Sequence, residues 1–292
     1  MRTFVDLHTH SAASDGQLAP EELVRLADAA RLAAVALTDH DTTAGIAAAK
    51  AAARKFPELR FIAGIEMSAK FPAGMLHVLG LGIDEGCAGL QETLRQVRGA
   101  REERNPKIIA ALGRLGMKIS MEDVLAATAS GGRREEGEIV GRLHIAEALR
   151  RKGYVRTAKE AFDRYIGNNG PAYVDKERLE PSEAIRAIRD AGGAAVLAHP
   201  VQLRYENSAQ LERILRSFIS AGMNGIEVYH TDHRPEQTRL YLDLARRFGL
   251  LVTGGSDFHG PVRQDAVLGR PLVPLAALTG ELAERLLTGP AK

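Results

Sequence analysis

Seven short apolar runs, most separated by stretches of helical period, constrain what this 292-residue chain can fold into. The runs are Thr3 to Leu7, Ala34 to Thr38, Arg60 to Glu66, Met75 to Gly80, Ala194 to Ala198, Gly225 to Tyr229 and Leu250 to Thr253. Most are apolar at consecutive positions, as in strands covered on both faces. Pro20, Pro181 and Pro235 stand where helices should begin, with acidic residues in the turn that follows. The alanine-rich stretch from Thr43 to Phe56 must stop near Pro57. Strands alternating with helices predict an α/β fold, either a parallel barrel or a doubly wound sheet. The rhythm breaks between Ala88 and Glu180, where the pattern is helical, charged and without a convincing strand. We therefore expect one α/β domain from residues 1–87 and 181–292, with 88–180 as a helical insertion.

The ends of the apolar runs carry the chemistry. His8 and His10 follow the first run, and alternation along an extended chain puts both imidazoles on one side. Asp15 follows in Ser14-Asp15-Gly16. The second run ends in Thr38-Asp39-His40-Asp41, the third in Gly64-Ile65-Glu66, and the fourth carries His77. The fifth ends at His199, the sixth at His230, and the seventh runs into Ser256-Asp257-Phe258-His259. In barrels and open α/β sheets the C-terminal ends of the strands build the active site. A single histidine there is more often a hydrogen-bonded core or surface residue, but so many strand ends bearing one chemistry point to a metal centre. Imidazole and carboxylate without thiolate suit Mn, Fe or Zn. Clustered carboxylates need cations to neutralise them, and the donors outnumber what one ion accepts. Two or three divalent cations are expected, with Mn the first choice and Zn or Fe the alternatives, and with Glu66 as a natural bridge.

Composition removes several alternatives. Cys87 is the sole cysteine, so an internal disulfide and a thiolate zinc site are both excluded. No apolar stretch reaches the roughly 18 residues of a membrane span. The N-terminus has no apolar leader and enters the candidate site at His8, so a cytoplasmic protein without membrane association is expected. A net charge of +2 argues against a broadly DNA-coating role, although a local basic pocket for a phosphorylated small molecule remains compatible. Nothing in the sequence calls for an obligate protein partner.

In order along the chain, His-x-His, Ser-Asp-Gly, Thr-Asp-His, Gly-Ile-Glu, His-Pro and Ser-Asp-x-His resemble the PHP (polymerase and histidinol phosphatase) superfamily of metal-dependent phosphoesterases. The resemblance covers essentially the whole chain. It implies a distorted (β/α)7 barrel and three metal positions. One would be held by His8, His10, Glu66 and Asp257, a second by Glu66, His77 and His199, and a third by Asp15, His40 and His259. Gly141-Arg142-Leu143-His144, Ala161-Phe162-Asp163-Arg164-Tyr165 and Gly170-Pro171-Ala172-Tyr173-Val174 in the insertion resemble the stand-alone bacterial branch with the 3′,5′-nucleotide bisphosphate phosphatases. In that branch adenosine 3′,5′-bisphosphate (pAp) loses its 3′-phosphate to give AMP, and related members trim short RNA from its 5′ end.

The resemblance thus implies a phosphoric monoester hydrolase in which a metal-activated hydroxide attacks phosphorus. His230 is a candidate catalytic acid or phosphate donor, or else a hydrogen-bond support for a ligand. His144 and His233 read better as structural. A second substrate phosphate needs cations outside the metal site, and Arg134, Arg142 and Lys176 are the candidates. Arg95, Arg98, Arg101 and Arg104 repeat every three residues and read as a solvated helix stripe. The substrate is expected to be a small phosphorylated nucleotide. A 5′-to-3′ exonuclease on short RNA, a histidinol phosphatase and a non-catalytic metal-binding module are the rival readings. A C–N-cleaving amidohydrolase is disfavoured, because no lysine stands after a strand to form a carbamate bridge.

Overall fold

The computed structural model describes residues 2–128, 139–168, 170–175 and 178–278. Eight strands make one sheet: β1 (Phe4–Asp6), β2 (Ala34–Leu37), β3 (Arg60–Ala69), β4 (Leu76–Leu81), β5 (Ala194–Leu197), β6 (Gly225–His230), β7 (Leu251–Gly255) and β8 (Val273–Pro274). Their order is β7-β6-β5-β4-β3-β2-β1-β8. The sheet curls until β7 meets β1, where Leu7 N donates to Gly254 O at 3.1 Å and Asp257 N donates to His8 O at 2.9 Å. This nearly closed, distorted barrel with outer helices is the α/β architecture expected from the sequence.

The apolar runs are buried on both faces for a visible reason. Val5, Leu7, Ala34, Ala36, Leu79 and Val196 belong to a cluster built by strands and the β8 segment, with no α-helix residue in it among the described residues; this is the barrel interior. The alternate residues Val35 and Leu37 pack outward on Leu23, Val24 and Ala27 of α1 (Pro20–Ala29) and Ala49 of α2 (Ile46–Ala53). In α1 the proline occupies the first turn and Glu21 and Glu22 face the helix's positive end. On the far side, α7 (Pro181–Asp190), α8 (Ser208–Ser220) and α9 (Pro235–Phe248) cover β4 to β7 with Ile185, Ile188, Leu211, Leu215 and Tyr241.

Two features depart from an all-parallel barrel. β4 runs antiparallel to both β3 and β5, and β8 runs antiparallel to β1. The reversal follows from loop length: residues 70–75 form the whole connection from β3 to β4, and a parallel crossover takes about a dozen residues or more. The antiparallel pairing also carries β3 past Glu66 to Ala69, so Glu66 is not the strand's last residue.

Between β4 and β5 lie α3 (Ala88–Arg114), α4 (Met121–Ala126), α5 (Arg142–Arg151) and α6 (Ala158–Ala161), the last continuing as one wide turn over Phe162–Ile166. Ile108, Leu112, Val124, Ile145, Leu149 and Ile166 form a second apolar cluster there. Leu90 and Leu94, early in α3, belong instead to the barrel's outer core. One helix therefore roots the segment in the barrel and carries it over the mouth. Among the described residues no helix is long and apolar enough to cross a membrane.

Closure leaves no room at the β1–β7 seam: a Cβ on Gly255 would meet the backbone nitrogen and Cβ of His8. Gly255→Ala should cost about 1–3 kcal/mol of stability, read as a lower denaturant midpoint at unchanged slope. An unchanged midpoint would mean that β1 and β7 do not meet in this way.

Candidate metal centre

At one rim of the barrel Glu66 is surrounded by imidazoles. Its Oε2 lies 3.2 Å from His8 Nε2, 3.1 Å from His10 Nε2 and 3.1 Å from His40 Nδ1. Its Oε1 lies 2.8 Å from His77 Nδ1 and 2.9 Å from His199 Nε2. Asp257 Oδ1 stands opposite, 3.3 Å from His8 Nε2 and 3.1 Å from His10 Nε2. Asp15 lies to one side, with Oδ1 3.3 Å from His259 Nε2 and Oδ2 3.9 Å from His40 Nε2. All nine residues singled out as ligands in the sequence thus meet at one rim. His77 reaches it from near the start of β4, because the antiparallel strand presents its N-terminal end on that side.

The arrangement fits cations better than hydrogen bonds. His8 Nε2, both ring nitrogens of His10, His40 Nδ1, Glu66 Oε2 and His199 Nδ1 are buried without a hydrogen-bond partner, a costly state for polar atoms. His77 Nδ1, His199 Nε2 and Glu66 Oε1 crowd within 3.2 Å of one another. Among the described residues four groups of donors could each close on an ion: His8, His10, Glu66 and Asp257; His10, Asp15, His40 and His259; His40, Glu66 and His77; and His8, Glu227 and His230. Burial opposes charge on Glu66 and Asp257, yet the histidines around them hold both carboxyls well below the usual range. Burial likewise opposes an imidazolium at His8, but Glu227, Glu66 and Asp257 raise its pKa well above the ordinary value. His10 is pushed up to about 10, against burial, by Asp257 and Glu66. A divalent cation supplies the same neutralisation without protons.

Buried acids behind the cluster hold the ligand loops. Asp6 accepts from Ser256 N at 2.9 Å, Ser256 Oγ at 2.6 Å and Gly269 N at 2.8 Å, which fixes the turn that carries Asp257. Asp39 accepts from Ser11 N at 2.7 Å and Ser14 Oγ at 2.6 Å, which fixes the loop that carries Asp15. Asp41 accepts from Ser68 N at 2.8 Å and pairs with Arg101. His199 and Asp257 both sit at positive φ, 22° and 54°, a conformation that non-glycine residues keep when the surroundings over-determine them.

Glu227 was not among the residues assigned from sequence, although an acid inside an apolar run was the available signal. Its Oε1 takes His8 Nδ1 at 3.0 Å and its Oε2 accepts His199 N at 2.7 Å. A carboxylate behind a ligating imidazole fixes the tautomer and aims the other ring nitrogen. His230 accepts Asp232 N at Nδ1 (3.0 Å), so its proton belongs on Nε2, 3.4 Å from Asp257 Oδ2. Arg263 pairs with the same carboxylate and with Asp232 at 2.9 Å.

A cavity of about 850 Å3 opens over the cluster, lined by Asp15, His40, Glu66, His77, His199, Asp257 and His259 on one side and Arg142, Leu143 and Phe162 on the other. Arg142 reaches it from the start of α5, stacked 5.7 Å from Phe162 and 5.4 Å from Tyr173. Arg134 and Lys176 lie outside the described residues. His144 accepts Gly141 N at 3.1 Å and His233 faces Val228 O at 2.9 Å, both structural contacts. The arginine stripe on α3 is not uniformly solvated as expected. Arg95 is exposed beside Glu92, whereas Arg104 is 5% exposed. Three-residue spacing drifts by about 60° per step on a helix of 3.6 residues per turn, so Arg95 and Arg104 face opposite ways.

The PHP domain family model matches residues 6–231, which include every residue of the cluster except Asp257 and His259. The chain belongs to the PHP domain family. A 3′,5′-nucleoside bisphosphate phosphatase of Chromobacterium violaceum is 37% identical over 261 residues, 88% of this chain and 87% of that protein. A 5′-3′ exoribonuclease of Haemophilus influenzae is 34% identical, over 88% of this chain and 90% of its own. Among solved structures, a Chromobacterium violaceum protein described as an amidohydrolase, with bound sulfate and no metal, superposes with a TM-score of 0.81. It is 33% identical and the match covers 93% of this PHP chain and 94% of that one.

If Glu227 aims His8 and holds His199, Glu227→Gln should weaken metal binding about 10- to 100-fold with the fold retained. Calorimetric titration with Mn2+ checks this, and undiminished affinity would assign Glu227 a packing role alone.

Proposed function

We propose that this PHP domain is a metal-dependent phosphatase that removes the 3′-phosphate from nucleoside 3′,5′-bisphosphates, converting pAp to AMP and phosphate. The observation that carries the reading is the set of unpartnered buried donors converging on Glu66 at the floor of a cavity whose far wall is basic and aromatic. His8, His10, Glu66 and Asp257 would hold one cation, Glu66 with His77 and His199 a second, and Asp15, His40 and His259 a third, with Mn the favoured metal. When bound, such cations lower the pKa of water and neutralise phosphoryl oxygens as charge shifts in the transition state.

The chain's own groups do the remaining work. Arg263 and His230 both engage Asp257 Oδ2, which leaves Oδ1 aimed at His8 and His10. His230 is 2% exposed and stands behind Asp257, away from the cavity lining, so we assign it to positioning Asp257 ahead of proton donation to a leaving group. Phe162 and Leu143 give the cavity an apolar face suited to a nucleoside, and Arg142 beside them suits an anionic group. Sulfate, an anion of phosphate's shape, occupies the Chromobacterium structure without metal. The bisphosphate phosphatase among the relatives supports the monoester reading. The exoribonuclease supports a second reading, 5′-to-3′ trimming of short RNA with the same residues.

Phosphate or nucleotide release by the Mn-loaded protein from pAp, 5′-AMP, histidinol phosphate and a short 5′-phosphorylated RNA separates these readings. We expect preference for pAp with AMP as product. His8→Ala and Asp257→Ala should reduce turnover to background, and chelation should do the same until Mn is restored. Mononucleotide release from RNA with little action on pAp would transfer the assignment to exonuclease. No turnover of any of the four by protein with metals bound would overturn both readings.

A further inference from the structure

The donor groups at the rim are backed by different parts of the chain. Behind His8, His199 and Asp257 stand Asp6, Glu227 and Arg263, which come from barrel strands or the loops that follow them. Asp15 and His40 belong to the group His10, Asp15, His40 and His259 and are backed differently. They are 19% and 16% exposed, against 0% for His8 and His10. They lie where the cavity meets the helical segment between β4 and β5.

Ties from that helical segment reach both ligands. Arg101 of α3 pairs with Asp41, the residue after His40, and its Nε donates to Asp41 Oδ2 at 3.2 Å. Asp41 is fully buried, sits at φ 53° and also accepts Ser68 N at 2.8 Å and Ser68 Oγ at 3.1 Å. Its own N–H donates to the Glu66 carbonyl at 2.9 Å, so the turn behind His40 is held between β3 and α3. Gln91, in the first turn of α3, donates to Thr43 Oγ1 at 2.8 Å just beyond that turn. Ahead of α5, Ile139 N donates to Ala13 O at 3.1 Å, two residues before Asp15. Asp39 steadies the Asp15 loop from the barrel side as well, through Ser11 and Ser14. His40 therefore depends more on the helical segment than Asp15 does. A buried carboxylate deprived of its guanidinium is an uncompensated charge, and a left-handed turn persists only while its surroundings over-determine it. Asp41 cannot shift towards water without carrying His40 with it.

We propose that Arg101 is a positioning residue for the cation held by Asp15, His40 and His259, so that the seating of α3 on the barrel sets the affinity of that one site while the barrel sets the other two. Arg101 touches neither substrate nor ion in this role. It acts through Asp41 on the direction of the His40 ring, as a residue behind a metal ligand does. The inference rests on the metal-centre reading and goes beyond it by making occupancy of the outermost site depend on one buried ion pair.

Elemental analysis of dialysed protein counts the ions, and calorimetric titration with Mn2+ gives the affinity of each. The wild type should bind three. Arg101→Gln should weaken one equivalent about 10- to 100-fold and leave the other two unchanged, and Arg101→Lys, which keeps the charge, should recover part of the loss. His259→Ala identifies the equivalent: it should abolish the same one, and adding Arg101→Gln to it should cost no further metal affinity. Asp41→Asn breaks the ion pair from the barrel side, should act as Arg101→Gln does, and carries the test if the Arg101 variants do not fold. Equal weakening of all three equivalents, or unaltered affinity in folded variants, would make Arg101 structural and overturn the proposal. A wild type that takes only two ions would also overturn it, with the phosphatase reading left standing. A wild type that takes none would remove both.

Discussion

Everything at the rim depends on the electrostatics of one buried carboxylate. Glu66 is 1% exposed and lies within 3.2 Å of nitrogens from five histidines. Burial would keep such a group protonated, yet the imidazoles hold it ionised. Five rings cannot all be satisfied by two oxygens, and the unpartnered nitrogens around it show that they are not. Divalent cations resolve both problems, since each accepts lone pairs from several rings and neutralises carboxylates at once. The barrel's closure, the reversed β4 and the strained turns at His199 and Asp257 can all be read as the means of holding those donors in a space they would otherwise leave.

The supporting layer follows the same logic one step out. Asp6, Asp39 and Asp41 spend their oxygens on backbone amides and serine hydroxyls of the ligand loops, and Glu227 aims His8. Cooperative polar networks of this kind rigidify a site when every member is satisfied. Helix α3 extends that rigidity to the mouth. Its first turns are anchored in the barrel's outer core and its later turns carry Arg101 and Arg104 to the edge of the metal cluster. The histidine–carboxylate floor and the arginine-bearing wall are therefore fixed relative to each other.

Much of this was readable from residue order. Apolar runs gave strands, and prolines with acids gave helix starts. His8 with His10 needed no more than the alternation of an extended chain to predict a shared direction. His77 was harder, because its place at the rim depends on a strand reversal that only the short loop 70–75 hints at. Glu227 gave a weak signal, an acid among apolar neighbours, but which ring it serves is a matter of β1 meeting β6 across the barrel. The α3 arginines were misread because their spacing repeats in sequence and not on the helix surface.

The sequence by itself determined the chemistry: which strand ends carry imidazole or carboxylate, that thiolates take no part, and that the sheet is covered on both faces. Local rules suffice for this, since side-chain type, strand alternation and turn-forming residues act over a few positions. Tertiary structure decided which donors meet, which acids stand behind them and which arginines are drawn from solvent into a pocket. Those outcomes depend on contacts between residues as distant as Asp6 and Ser256. They arise when barrel closure brings remote strand ends together and burial makes each unpaired charge costly enough to demand a partner.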